Sequence, residues 1–382
     1  MNHESNIKIR VLLAIIPGIN HLRDARLMHG ISLLISAILL ATIFYLKRQI
    51  IMDCLYADSI SLWSAAILFF LLCIFVWATA IIDALKPGLH KVKTPSNRGA
   101  FQYAIKRFTA NRLAMVSAYL LFILFIVAFL APILAPYDPH MIKDVVTTRY
   151  LPPGLDHFFG TDALGRDLFS RALFGARISL SIGVLSVLIS MSLGTVYGAI
   201  AGFTGGVIDN ILMRFVDIIM AFPIFFLMLL LVGIFDAGII MLILILGFTS
   251  WPGTARYIRG EILSLKERGF IESARAIGLP AHLIIWRHLI PNALSPVLVS
   301  AALMVGGMIT AEAGLSFLGI GIRPPIPSWG NMISAGQDAV FTGWWIAFFP
   351  GLLLTITILC LNLLADGLRD ALDTKTLMRK YI

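Results

Sequence analysis

The stretch ESARAIGLPAHLIIWRHLIP, Glu272–Pro291, is the longest part of the chain that reads as a charged, water-soluble helix pair, and apolar runs long enough to cross a bilayer flank it on both sides. Phe270, Ile271, Ala274 and Ile277 fall at helical spacing on one face, with Arg268, Glu272 and Arg275 turned elsewhere. Gly278 ends this helix, because glycine enters the left-handed region without steric cost. Pro280 starts a second short helix, and Pro291 opens the next apolar run. On spacing alone, an amphipathic connector lying on the membrane surface explains the stretch as readily as anything more specific.

The flanks decide the class. Hydrophobic residues make up 59% of the 382-residue chain and charged residues only 13%, with a mean hydropathy of +0.90. A soluble domain must still cover itself with polar groups and cannot absorb such an excess. The apolar runs are about 20 residues long, a helix span rather than an alternating barrel strand. The expected fold is therefore an all-α polytopic membrane protein with about eight spans, near residues 28–46, 60–82, 113–135, 178–201, 211–234, 237–253, 293–315 and 344–365. Residues 1–100 hold the first two spans and a basic linker, residues 101–382 hold the other six, and residues 267–291 form a polar loop between the sixth and seventh.

Charge sets the orientation. With an N-terminus in the cytoplasm, 21 of the 30 Lys and Arg fall on the cytoplasmic side and 7 outside, which also places the C-terminus and the Glu272 stretch in the cytoplasm. That bias accounts for the net charge of +9 and removes the need for a nucleic-acid partner. Cys54, Cys73 and Cys360 lie far apart, so they are neither a disulfide framework nor a metal site.

The sequence carries no catalytic constellation. A G-x4-G-K-[S/T] loop is missing, Gly319-x-Gly321 follows no strand, and His282 and His288 are six apart rather than four. The chain is expected to bind no cofactor or metal. An ion-coupled transporter would want carboxylates at midspan, and a membrane enzyme would want a nucleophile–base or metal cluster. Three ionisable residues inside spans stand out because burial in lipid is costly. Arg214 and Asp217, three apart, can pair with each other. Glu312 has no evident partner and can line a pathway, meet another subunit or reach the interface. Gly194, Gly198 and Gly202 recur every four residues, a face for close helix packing. In FGTDALGRDLFSR (Phe159–Arg171), Thr161 or Asp162 can cap a short helix, and Asp162, Arg166 and Asp167 can pair across one turn.

Several of these stretches resemble one family. Glu272, Ala274, Gly278 and Pro291 match the Glu-x-Ala-x3-Gly-x9-Ile-x-Leu-Pro signature of ABC importer permeases, with Ser273, His288 and Ile290 as departures. Gly160-Thr161-Asp162-x2-Gly165-Arg166-Asp167, Asn111–Ala114, Gly175–Arg177, Leu315–Met332 and Asn362–Asp373 resemble, in order, the C-type subunit of dipeptide/oligopeptide permeases. The similarity runs from about Phe101 to Asp373, beyond which the two N-terminal spans are an extension. The resemblance implies a type I importer core of six spans in the bacterial cytoplasmic membrane. It implies a second homologous permease as partner, two cytoplasmic ATPases that bind ATP and Mg, and an extracytoplasmic substrate-binding protein. It makes Phe270, Ile271, Glu272, Ala274, Ile277, Gly278, His288 and Pro291 the contact through which the ATPases act. The substrates implied are di- or oligopeptides, with nickel, glutathione and antimicrobial peptides as alternatives for the same subunit type.

Overall fold

The computed structural model describes residues 107–142, 144–235 and 238–372. The two expected N-terminal spans and the linker after them lie outside these residues. By contact the chain separates into two units, Met1–Arg98 with Ile126–Pro136, and Gly99–Phe125 with Tyr137–Ile382; the sites described below belong to the second.

Long helices dominate: α1 (Arg112–Phe129), α2 (Ala131–Leu134), α3 (Val145–Thr148), α4 (Leu168–Thr204), α5 (Gly206–Met220), α6 (Ile224–Phe235), α7 (Ile239–Lys266), α8 (Gly269–Ala276), α9 (Ala281–Leu283), a π-helical turn (Ile284–Leu289), α10 (Ile290–Phe317), α11 (Trp329–Ala335) and α12 (Trp345–Leu372). Five of them are long and apolar enough to cross a membrane, and α5 with α6 makes a sixth if that bent pair counts as one span. Among the described residues the only β contact is an isolated bridge, Thr161 to Asp167.

Three expected spans differ, the sixth because α7 runs on from Ile239 to Lys266, well past residue 253. The fourth begins at Leu168 rather than near 178: α4 runs for 37 residues, about 55 Å, well past a hydrocarbon core of about 30 Å. Its N-terminus is held by the Asp167 carboxylate, which accepts from Ser170 N at 2.7 Å. The fifth is not a single rod. Its continuous apolar pattern hides a break at Ala221–Pro223, where α5 and α6 bend by 77°. By contrast, Pro252, Pro296 and Pro350 sit inside α7, α10 and α12 without ending them.

The core is organised by α4 and α7. A Cβ on Gly194 would lie 2.5 Å from the Thr254 Cβ, one on Gly198 2.3 Å from the Ala255 carbonyl, and one on Gly202 3.0 Å from the Arg259 carbonyl. The glycine repeat is therefore a contact face that lets two backbones meet. Beyond it, Ile182, Leu242, Leu246 and Leu315 bury one apolar cluster between α4, α7 and α10.

Candidate functional site

The Glu272 stretch continues α7 beyond the apolar zone. Arg268 precedes α8, and Gly278, at φ +81°, closes it. Gly278 N donates to Arg275 O (2.9 Å) and Leu279 N to Ala274 O (3.1 Å), the paired bonds that satisfy the last carbonyls of a helix ending in a left-handed residue. Pro280 then caps α9. The π-helical turn Ile284–Leu289 follows, with Ile290 N reaching back five residues to Ile285 O, and it delivers the chain to Pro291 in the first turn of α10. His288 lies on this turn, where its carbonyl accepts from Asn292 Nδ2 at 2.6 Å.

The apolar face of α8 divides in two. Ile271 and Ala274 are buried inside the chain's own core with Ile258, Ile262, Ile284 and Leu289, so they anchor the stretch and present nothing to a partner. Burying Ile271 alone is worth about 2 kcal/mol. Phe270 (41% exposed), Ile277 (80%) and Trp286 (59%) stay bare, beside exposed Glu272, Arg268 and Arg287. The Arg275 guanidinium lies over the Phe203 ring, 5.1 Å from its centroid, and ties α8 to the end of α4. Sequence reasoning overlooked Trp286, the largest exposed side chain of the stretch, although a tryptophan within a charged run was a visible signal.

The intramembrane residues do not pair as their spacing suggests. Asp217 pairs with Arg256 on α7 (Oδ1 to Nη2, 2.5 Å), not with Arg214, which makes no ion pair among the described residues. A second pair, unforeseen, joins Asp209 to Arg259 through both carboxylate oxygens, Nε to Oδ1 at 2.6 Å and Nη2 to Oδ2 at 2.7 Å. Its signal was present as two acids on one apolar segment and Arg256-x2-Arg259 at the end of another. Glu312 is fully buried within the chain. Ser179 Oγ and Ser316 Oγ donate to its two oxygens at 3.1 and 2.7 Å, and those hydroxyls accept from Trp329 N and Ile322 N.

At the other end of α4, the Gly160–Asp167 motif consumes its own charges. Thr161 Oγ1 donates to Thr148 O (2.6 Å) and accepts from Leu151 N (2.8 Å), and Trp345 Nε1 donates to Thr161 O (3.1 Å). Asp162 caps no helix. Its Oδ1 accepts from Leu164 N and Arg166 N, and its Oδ2 from Arg166 Nε at 2.7 Å, with Arg171 Nε 3.6 Å away. The cap belongs to Asp167, whose other oxygen meets His157 Nδ1 at 2.8 Å. Gly160 and Gly165 occupy the left-handed region, at φ +77° and +73°. Arg171 also donates to Pro139 O and Pro325 O. Among the described residues no group of three or more His, Cys, Asp and Glu side chains converges on a point that could hold a metal.

Comparison with known proteins decides the family. Residues 194–378 match the binding-protein-dependent transport system inner membrane component, and residues 99–153 the N-terminal TM domain of oligopeptide transport permease C. The dipeptide transport system permease protein of Bacillus subtilis is 40% identical over 285 residues, 74% of this chain and 88% of the relative. The chain belongs to the binding-protein-dependent permeases. Similarity extends to the oligopeptide transport system permease protein of Haemophilus influenzae, 41% identical over 73% of this permease and 89% of the relative. The glutathione transport system permease protein of Escherichia coli O157:H7 is 41% identical over 77% of this permease and 96% of the relative. This permease is thus a multi-pass inner-membrane subunit of a transport system.

Proposed function

We propose that this chain is the non-catalytic permease subunit of an ATP-driven importer of di- or oligopeptides. It pairs with a second homologous permease, receives substrate from an extracytoplasmic binding protein, and is driven by two cytoplasmic ATPases that hold the ATP and Mg. Both termini and the Glu272 stretch face the cytoplasm. One observation carries the reading: a helix closed by left-handed Gly278 is anchored from within by Ile271 and Ala274 and left bare at Phe270, Ile277 and Trp286. A docking element needs this division, because a partner can move it only if its inner side grips the spanning helices.

Peptides are the substrate because the relatives named for dipeptides and oligopeptides cover the described core at about the same identity. Glutathione, itself a short peptide, is the second reading, supported by a relative at 41% identity. Proteoliposomes holding the permease pair and its ATPases, supplied with the binding protein and ATP, are expected to accumulate labelled dipeptides or longer peptides. Accumulation of glutathione or nickel alone would change the substrate; uptake without ATP would overturn the transporter class.

A further inference from the structure

Helix α5 is attached to α7 and α4 by an apolar contact, fully buried Val216 against Trp251 and Ala255, and by two ion pairs. Asp209 and Asp217 lie eight residues apart on it, about 12 Å along a helix, whereas their partners Arg259 and Arg256 are three apart on α7, about 4.5 Å. The pairs run in opposite order along the two helices, so α5 and α7 are antiparallel where they meet, and the arginine side chains take up the difference in spacing. The Asp209 pair is bidentate and its carboxylate is buried. The Asp217 pair is open, with the two side chains 61% and 52% exposed. Tyr197 Oη of α4 adds a third tie by donating to Leu212 O at 3.0 Å.

On α7 the same two arginines sit close to the Glu272 stretch. The glycine contacts fix α4 to α7 at Thr254, Ala255 and Arg259, and Ile258, Ile262 and Leu265 share one buried cluster with Ile271 and Ala274 of α8. The ends of α4 and α7, the stretch itself and the start of α10 thus form one packed block. Helix α5 is gripped by that block, and immediately after it the chain bends by 77° at Ala221–Pro223 into α6. A joint that follows a clamped segment is where rotation of the block would be taken up.

We propose that Asp209–Arg259 and Asp217–Arg256 form an ionic clamp that makes α5 move with the ATPase-contacting stretch, so that the bend between α5 and α6 changes when the ATPases close. This rests on the ATP-driven reading above. The two pairs act as positioning groups that set where α5 lies.

The distance measurement uses the assembled complex without substrate, and uptake is assayed separately with peptide and ATP. Nitroxides are placed at Ile211→Cys and Ile234→Cys, exposed positions on either side of the joint, after Cys54, Cys73 and Cys360 are replaced by Ser. Their separation is read with and without a non-hydrolysable ATP analogue. The expected result is a shift of several ångströms in the parent, loss of the shift in Asp209→Arg and in Arg259→Asp, and its return in the double charge swap. Uptake per ATP hydrolysed should fall about tenfold in each single variant and recover in the swap. Asp217→Asn, at the exposed pair, folds without a buried charge left alone and should reduce the shift only in part. An undiminished shift in Asp209→Arg, or a swap that inserts and binds the ATPases yet stays uncoupled, overturns the clamp. A parent complex that shows the shift but takes up no peptide counts against the substrate reading and leaves the clamp standing.

Discussion

The two ends of α4 spend their charges in opposite ways. At the Gly160 end, two aspartates, two arginines and a histidine are satisfied almost entirely by one another and by nearby backbone. At the Gly278 end, Glu272, Arg268 and Arg287 remain exposed among bare Phe270, Ile277 and Trp286. The denser motif is the structural one. A run of charged residues marks a docking surface only by what is left over once the fold has met its own hydrogen-bonding demands.

Substitutions should separate the two ends by stability first and association second. The largest effect is expected at Gly160→Val. A side chain there must adopt φ +77° and would begin 2.5 Å from Leu151 O, so about 4 kcal/mol should be lost. Thermal unfolding of the detergent-solubilised protein measures this, and a near-native melting temperature would undo the contrast. Asp162→Ala comes next, at about 3 kcal/mol, because Arg171 stays buried without its nearest carboxylate. Denaturant titration in mixed micelles would register it. At the opposite end Gly278→Val meets open space, so its cost is the backbone conformation alone, about 1 kcal/mol. Co-purification should nonetheless show loss of the ATPases, since the helix end is misdirected; retained ATPases with normal uptake would reduce the stretch to a passive connector. Smallest in stability are Trp286→Ala and Ile277→Ser, under about 0.5 kcal/mol each. Both should weaken ATPase binding about tenfold in a pull-down titration. Equal binding would mean that another surface carries the contact.

Much of this was legible beforehand. Spans of about 20 apolar residues announce themselves because lipid demands them, and Gly278 at the end of an amphipathic helix stated its own conformation. Hydropathy could not show direction, so the bend after Met220 was invisible in a segment that is apolar throughout. Pro223 gave no warning when three other prolines lie inside unbroken helices. Arg171 and Arg177 lie just before the expected fourth span, which starts near residue 178. Asp162, the Asp167 cap and the carbonyls of Pro139 and Pro325 instead let the helix begin at Leu168. Partner choice was the least readable property. Asp217 passes over Arg214, three residues away, for Arg256, 39 away, and Glu312 adds to Ser316, one turn along its own helix, a serine 133 residues distant. Such pairings are decided by how helices cross, which no local spacing records.

The contact between α4 and α7 has a consequence for permeation. Where a methyl group at Gly194 or Gly198 would strike the neighbouring helix, a water molecule has no room either. The two helices form a watertight seam from Gly194 to Gly202, about two turns. No solute passes between them at these positions, so the α4–α7 contact is a fixed wall of the subunit.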